Sequence, residues 1–296
     1  MIIGSHVSNK GDRMLEGAVS EALSYQANAL MVYLGAPQNS YRKPISKFRI
    51  DEARRLAADN NIDMANIIVH APYIINLAQA DGRKRRFAVD FLVSEIINAS
   101  IIGVKYYVFH PGSYLKSTPE EGIKTVALSL TEIVKRTADT PVDLVVETMA
   151  GKGTELCRRF SEIKDLLNAT ASPRLKVCFD TCHVHDAGYD IVNDYDGVMA
   201  RFDREIGFDR LALFHINDSK NERGSRKDRH QNIGYGKIGY KALHRLVSDN
   251  RFADRAKILE TPYVEAGGNK YPPYKEEIAM LKQHKFIDFI GEMKKG

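Results

Sequence analysis

Histidines and acidic residues recur along the chain where short apolar runs end. The set is His70, His110, Glu147, Asp180, His183, His215 and Glu260, with Asp228 and His230 in the segment after His215. Taken singly, such a residue is more often a hydrogen-bonded structural group or a solvated charge than a ligand. As a set, however, carboxylates brought together without cations would repel one another and would be costly to desolvate. The pattern therefore predicts a metal centre.

The residue types restrict which metal this centre would hold. Imidazole and carboxylate ligands without thiolate suit zinc, manganese or iron. At three to four ligands per ion, nine candidates suit about two or three ions, with one carboxylate bridging. Cys178 alternates with core residues, and Cys182 separates Asp180 from His183 and is expected to point away from the site. Neither cysteine is included among the predicted ligands. His6 closes the first run and either joins the site or orients a neighbour.

Eight apolar runs of this kind are spaced about 27 to 46 residues apart. Each is four to eight residues long, which suits strands that are buried on both faces of a parallel sheet. The runs begin near Ile2, Ala29, Asn66, Tyr106, Asp143, Lys176, Leu211 and Lys257.

The segments between the runs have the periodicity of helices. Thr118 with Glu121 forms a capping box, and Pro119 suits a first helical turn. Eight strand–helix units predict a single-domain (β/α)8 TIM barrel over residues 1–296, with its site at the C-terminal ends of the strands. An open doubly wound sheet is the alternative, although no GxGxxG follows the first strand.

Composition excludes several classes of protein. The chain has 296 residues, a formal charge of +5 and 44% hydrophobic residues, which is too apolar for a disordered chain. Three cysteines cannot form a disulfide framework. No apolar run is long enough for a membrane span, and the N-terminus lacks a signal-peptide pattern. We therefore expect a cytoplasmic protein that has no contact with membranes.

Basic and aromatic residues accumulate in the segments that follow the second, third and seventh runs. Such loops beside a metal centre suggest binding of a nucleic-acid backbone, and a multi-metal rim suits phosphodiester hydrolysis. The basic run 83–86 also has a simpler interpretation, as a solvated start of a helix with no partner. The candidate DNA contacts are Gln38, Asn39, Tyr41, Arg42, Tyr73, Ile74, Asn76, Lys220, Arg226 and Arg229.

Three stretches resemble the endonuclease IV family of apurinic/apyrimidinic (AP) endonucleases. They are HAPYIINL at 70–77, VCFDTCH at 177–183 with DAGYD at 186–190, and HINDSK at 215–220 followed by GSR at 224–226 and DRH at 228–230. Further matches lie in order from Gly4 to Glu260, so the resemblance covers the whole chain.

The resemblance implies a (β/α)8 barrel that holds three zinc ions, and the chemistry of the ligand set would also accept manganese or iron. Glu147 would be the catalytic carboxylate that bridges two of the ions. The ligands would be His70, His110 and Glu147 for the first ion; Glu147, Asp180, His215 and Glu260 for the second; and His183, Asp228 and His230 for the third.

The implied reaction is cleavage of DNA on the 5′ side of an AP site, leaving a 3′ hydroxyl, together with trimming of blocked 3′ ends in base-excision repair. The expected partner is double-stranded DNA with such lesions, and no obligate protein partner is expected. Family members often have Arg after the glutamine of the second loop, whereas here Gln38 is followed by Asn39. Tyr73, Tyr41 and Arg42 are the candidates to compensate.

Two alternatives to this function remain open on the sequence. A metal-dependent sugar isomerase or epimerase of the related barrel class would hold one or two ions on mostly carboxylate ligands. The five rim histidines and the Asp228–Arg229–His230 segment argue against it. A DNA-binding barrel with purely structural metals would be expected to close each ion with four protein ligands.

Overall fold

Eight parallel strands close into a barrel in the computed structural model, which describes residues 1–293. Each strand pairs with its neighbours along the chain, and the last strand pairs with the first, as Ile3 opposite Lys257. The strands are β1 (Ile3–His6), β2 (Ala29–Tyr33), β3 (Ile67–His70), β4 (Tyr106–Phe109), β5 (Asp143–Glu147), β6 (Leu175–Asp180), β7 (Leu211–His215) and β8 (Ala256–Leu259). The predicted TIM barrel is confirmed.

Helices surround the barrel. Thr118 and Glu121 form the predicted capping box at the start of the fourth helix, with Pro119 as its first residue. The helices are α1 (Met14–Ser24), α2 (Ile50–Asp59), α3 (Gly82–Ile102), α4 (Pro119–Arg136), α5 (Phe160–Thr170), α6 (Thr181–Ala187), α7 (Tyr195–Glu205), α8 (Tyr240–Val247), α9 (Tyr274–Lys282) and α10 (Phe289–Met293). No helix within residues 1–293 combines the length and the apolarity that crossing a bilayer requires.

The strands are buried on both faces, as their apolar sequences predict. One face fills the barrel interior with side chains such as Met31, Val108, Val145 and Leu213. The opposite face packs against the helices in a larger cluster. This rigid, dehydrated wall leaves little freedom to the residues that end each strand, and these are the candidate ligands.

Two short antiparallel pairs lie outside the barrel. Asp218–Ser219 pairs with His230–Gln231, and Val264–Ala266 pairs with Asn269–Tyr271. The first pair folds the long segment after β7 back on itself. It thereby returns Asp228 and His230 towards the strand ends.

Candidate metal centre

Glu147 ends β5 and lies at the centre of the rim, with 1% of its surface exposed. Four imidazoles surround its carboxylate. Its Oε2 lies 3.1 Å from His70 Nε2 and 3.3 Å from His110 Nε2. Its Oε1 lies 3.2 Å from His183 Nδ1 and 3.1 Å from His215 Nδ1. One carboxylate thus contacts side chains from four different strand ends.

All nine predicted ligands fall into compact groups around this carboxylate. Within each group, one ligand atom per residue lies within 4.8 Å of the others. Glu147 belongs to two groups, which is the arrangement required of a bridging carboxylate. The groups that match the predicted ligand sets are His70, His110 and Glu147; Glu147, Asp180, His215 and Glu260; and His183, Asp228 and His230.

The electrostatics of these residues depend on close pairs of opposite charge. Burial by itself raises the pKa of Glu147, but His215, His110 and His183 together hold that pKa well below its usual range. Burial likewise opposes protonation of His183, yet Asp180 and Asp228 raise its pKa above the ordinary value. A bound cation would take the place of these protons, because histidine ligates as the neutral imidazole.

The donor set fits divalent cations of the zinc type. Five imidazoles and four carboxylates converge, which is a mixture that zinc, manganese and iron accept. In addition, His230 Nε2 is a buried nitrogen that has no hydrogen-bond partner within residues 1–293. A metal ion would satisfy that nitrogen, which is otherwise buried without a hydrogen bond.

Backbone carbonyls orient two of the histidines. His70 Nδ1 lies 2.6 Å from the Ala71 oxygen, and His183 Nδ1 lies 2.9 Å from the Thr148 oxygen. If Nδ1 carries the proton, it donates to the carbonyl and leaves Nε2 free to ligate, as in many metal sites. The Nε2 atom of His183 then points to Asp228 Oδ1, 3.0 Å away.

Sequence reasoning missed the polar residues that support the ligands. Asn217 donates from Nδ2 to Asp180 Oδ2 over 2.7 Å, and its Oδ1 accepts from the Glu260 N–H over 2.9 Å. The buried carboxylate of Asp218 accepts from four backbone N–H groups at residues 234–239. The only signal for these roles was their place beside the ligand His215.

Cys182 is closer to the site than the sequence suggested. Its sulfur lies within 4.8 Å of ligand atoms of Asp180 and His230, so the expectation that it points away from the rim is wrong. Burial raises the pKa of this thiol, which disfavours the thiolate that a metal requires. Cys178 lies in the barrel core, as predicted.

Most of the predicted DNA contacts are exposed on the rim loops. Tyr41 is 72% exposed, Tyr73 54% and Ile74 45%. Large apolar side chains seldom face solvent together without a binding role. Gln38, Asn39, Lys220, Arg226 and Arg229 are exposed as well.

Two predicted contacts have structural partners instead. Arg42 donates from Nε to Glu95 Oε1 over 2.8 Å, and only 12% of its side chain is exposed because it neutralises this buried carboxylate. Asn76 donates to the Ser113 carbonyl and accepts from the N–H groups of Ser113 and Ala78, so its amide joins two loops. Both side chains therefore have a structural role in the protein, and their predicted contact with DNA stays a prediction.

Comparison with known proteins gives consistent results. A family model described as xylose isomerase-like TIM barrel matches residues 19–284. A probable endonuclease 4 from Bacillus cereus (strain AH187) is 51% identical over 294 residues, covering 98% of this chain and 97% of the relative. The corresponding protein of Acholeplasma laidlawii (strain PG-8A) is 48% identical over 287 residues, covering 97% and 96%.

Solved structures with a similar fold differ in how closely they match this chain. The crystal structure of endonuclease IV from Thermus thermophilus aligns with a TM-score of 0.82 at 31% identity, covering 96% of this chain and 98% of that one. A D-tagatose 3-epimerase-like protein aligns with a TM-score of 0.70 at 19% identity, covering 99% of both chains, and shares the fold alone. With half of its residues identical to endonuclease 4 relatives along nearly the full length, this chain belongs to the endonuclease IV family.

Proposed function

We propose that this protein cleaves DNA on the 5′ side of AP sites, leaving a 3′ hydroxyl, and also trims blocked 3′ ends in base-excision repair. The observation that carries the proposal is the group of nine ligands around Glu147 in a chain about half identical to endonuclease 4 proteins. Double-stranded DNA containing these lesions is the substrate, and the protein acts in the cytoplasm as a single barrel domain over residues 1–296.

We further propose that the site holds three ions, mostly zinc, in the three ligand groups described above. When bound, such cations supply a nucleophile from water at neutral pH and neutralise the charge that develops on a phosphodiester. Glu147 fixes the spacing of the site, since both of its oxygens are shared among imidazoles from four strands. His70 and His183 keep their orientation through the carbonyls of Ala71 and Thr148.

The exposed side chains of the rim bind and position the DNA. Lys220, Arg226 and Arg229 contact phosphates, while Gln38, Asn39 and Tyr41 contact the duplex from the loop after β2. Tyr73 and Ile74 fill the gap that is left when the abasic sugar leaves the stack. Extruding a nucleotide costs least where the base is already lost, so exposed apolar side chains at this place favour lesions over intact DNA.

The test is single-turnover cleavage of a duplex with one AP site, carried out on protein of measured metal content. We expect a single cut on the 5′ side, a 3′ hydroxyl end, and close to three ions per chain. Cleavage should stop after treatment with a chelator and return when zinc is added. An identical duplex without the lesion is the control substrate. Epimerisation of ketoses without cleavage of the AP duplex would overturn the proposal in favour of a sugar-epimerase function.

A further inference from the structure

The basic run at the start of α3 has an unusual electrostatic position. Arg83, Lys84, Arg85 and Arg86 follow the helix N-cap Asp81, and the first turn of α3 contains no acidic residue. The helix N-terminus has a partial positive charge, so cations at this position are unfavourable. Other helices of the chain follow the normal preference: the first turns of α2, α4 and α9 each contain two acidic residues.

Acidic side chains of the protein do not neutralise all the cations of this basic run. Arg86 forms an ion pair with Glu132, with 2.6 Å between Nη1 and Oε1. Arg83 and Lys84 are exposed and have no ion pair within residues 1–293. The nearby Asp81 carboxylate instead accepts hydrogen bonds from their backbone N–H groups, at 2.9 and 3.1 Å. In the described part of the chain, Arg83 and Lys84 thus remain without an ion pair where the helix itself disfavours them, and only the longer-range charge of Asp81 acts on Lys84.

These cations border a groove that continues from the proposed lesion-binding loop. The groove has a volume of about 360 Å³, and its lining includes Arg83, Lys84, Gln79, Ile74 and Phe87. Ile74 follows Tyr73 in the loop after β3, and Phe87 is 52% exposed. A DNA strand fits such a surface, since phosphates pair with the cations and deoxyribose packs against apolar side chains. The charge and the continuity with the rim both favour DNA over a protein partner.

We propose that Arg83 and Lys84, together with the groove beside Ile74 and Phe87, form an additional DNA-backbone contact that holds the duplex beyond the lesion. This inference rests on the proposed function and extends its binding surface from the rim loops onto α3. The contact is with phosphates, so it adds affinity without reading the sequence of the duplex.

The test is the charge-reversed variant Arg83→Glu/Lys84→Glu, compared with the parent protein and with Lys135→Glu/Lys285→Glu. The control lysines are exposed near the ends of α4 and α9, at the opposite end of the barrel, and they make the same change in net charge. The measurement is the enzyme concentration that gives half-maximal single-turnover cleavage of an AP-site duplex, at several salt concentrations. We expect an increase of about tenfold at 0.1 M salt for the α3 variant and less than twofold for the control.

A neutral variant, Arg83→Gln/Lys84→Gln, tests the number of contacts. Each phosphate contact contributes about 0.9 to the slope of log affinity against log salt, so loss of two contacts should lower the slope by roughly 1.8.

Glutamate in the first turn suits the helix dipole, so the melting temperature of the Glu variant should be equal to or above that of the parent. If the basic run instead stabilised the protein, the melting temperature of the Glu variant would be lower than that of the parent.

Three outcomes separate the hypotheses. A half-maximal concentration within twofold of the parent, together with an unchanged salt slope, would overturn the α3 contact, while normal cleavage by the parent would leave the AP-endonuclease function intact. Failure of the parent itself to cleave the AP duplex would contradict the proposed function. Equal weakening by the α3 and control variants would reduce the effect to net charge, and would also overturn the contact.

Discussion

Asp186 holds the loop that supplies Asp228 and His230 to the third ligand group, and its replacement is a strong test of how the site is built. This residue is fully buried on α6. Its carboxylate accepts from Ser219 Oγ at 2.6 Å, from Asn221 Nδ2 at 3.2 Å and from the Asp228 N–H at 2.9 Å. Asp228 has a φ of 54°, in the left-handed region that non-glycine residues disfavour. The loop therefore depends on outside partners to keep Asp228 beside His183.

The expected effect of Asp186→Ala follows from these contacts. A hydrogen bond to a charged acceptor stabilises by about 1.5–3 kcal/mol. The hydroxyl of Ser219 is fully buried and would lose its acceptor, although Ser219 Oγ still accepts from the Asn221 N–H. Asn221 and Asp228 are partly exposed, so water replaces part of the hydrogen bonding that they lose. We expect a decrease of about 3–5 kcal/mol in the free energy of unfolding, a large share of the roughly 5–15 kcal/mol typical of proteins. Asp186→Asn retains one acceptor oxygen and should lose about half as much.

Metal content gives the second measurement. Release of Asp228 would remove one ligand from the group with His183 and His230, while His70, His110 and Glu147 are untouched. We expect elemental analysis after desalting to show loss of about one of the three proposed ions, with cleavage of AP-site DNA reduced accordingly. The control is Asp209→Ala, whose carboxylate is 79% exposed and should change stability by no more than about 0.5 kcal/mol. Parent-like stability and full metal content in Asp186→Ala would refute this reasoning.

Three further changes give distinct results. Glu147→Gln keeps the shape of the bridging residue but removes its charge, so single-turnover cleavage of AP-site DNA should fall by several orders of magnitude; cutting within about tenfold of the parent would exclude the bridging role. Tyr73→Ala should weaken binding to AP-site duplex at full metal content, whereas unchanged affinity and rate would leave Tyr73 as a packing residue. Burial raises the pKa of Glu277 to about 7 from its usual 4.5, so the folded state binds this proton more tightly and the stability due to Glu277 falls as pH rises from about 4.5 to 7. In urea unfolding, the free energy of unfolding of Glu277→Gln should therefore rise relative to that of the parent by up to roughly 3 kcal/mol between about pH 4.5 and 8. Parallel pH profiles of the two proteins would contradict the raised pKa of Glu277.

The sequence was sufficient for the barrel because its signals are local and repeated. Each predicted strand begins within one residue of the observed one, since an apolar run of this length has few alternatives to a strand buried on both faces. The candidate ligands could be named for a related reason. The C-terminal ends of parallel barrel strands necessarily meet at one rim, so residues that end different strands are expected to lie close together.

Tertiary structure alone decided how the polar groups pair. Arg42 was predicted to contact DNA because it is a basic residue in a rim loop. Its guanidinium forms an ion pair with Glu95, fifty-three residues away. Asn76 was assigned to DNA by its place in a loop, whereas Ser113 engages its amide. Asp186 and Asn217 support ligands through backbone N–H groups that no side-chain pattern reveals. Such pairings depend on distances of a few ångströms between segments far apart in the chain, and these distances are fixed only when the barrel closes.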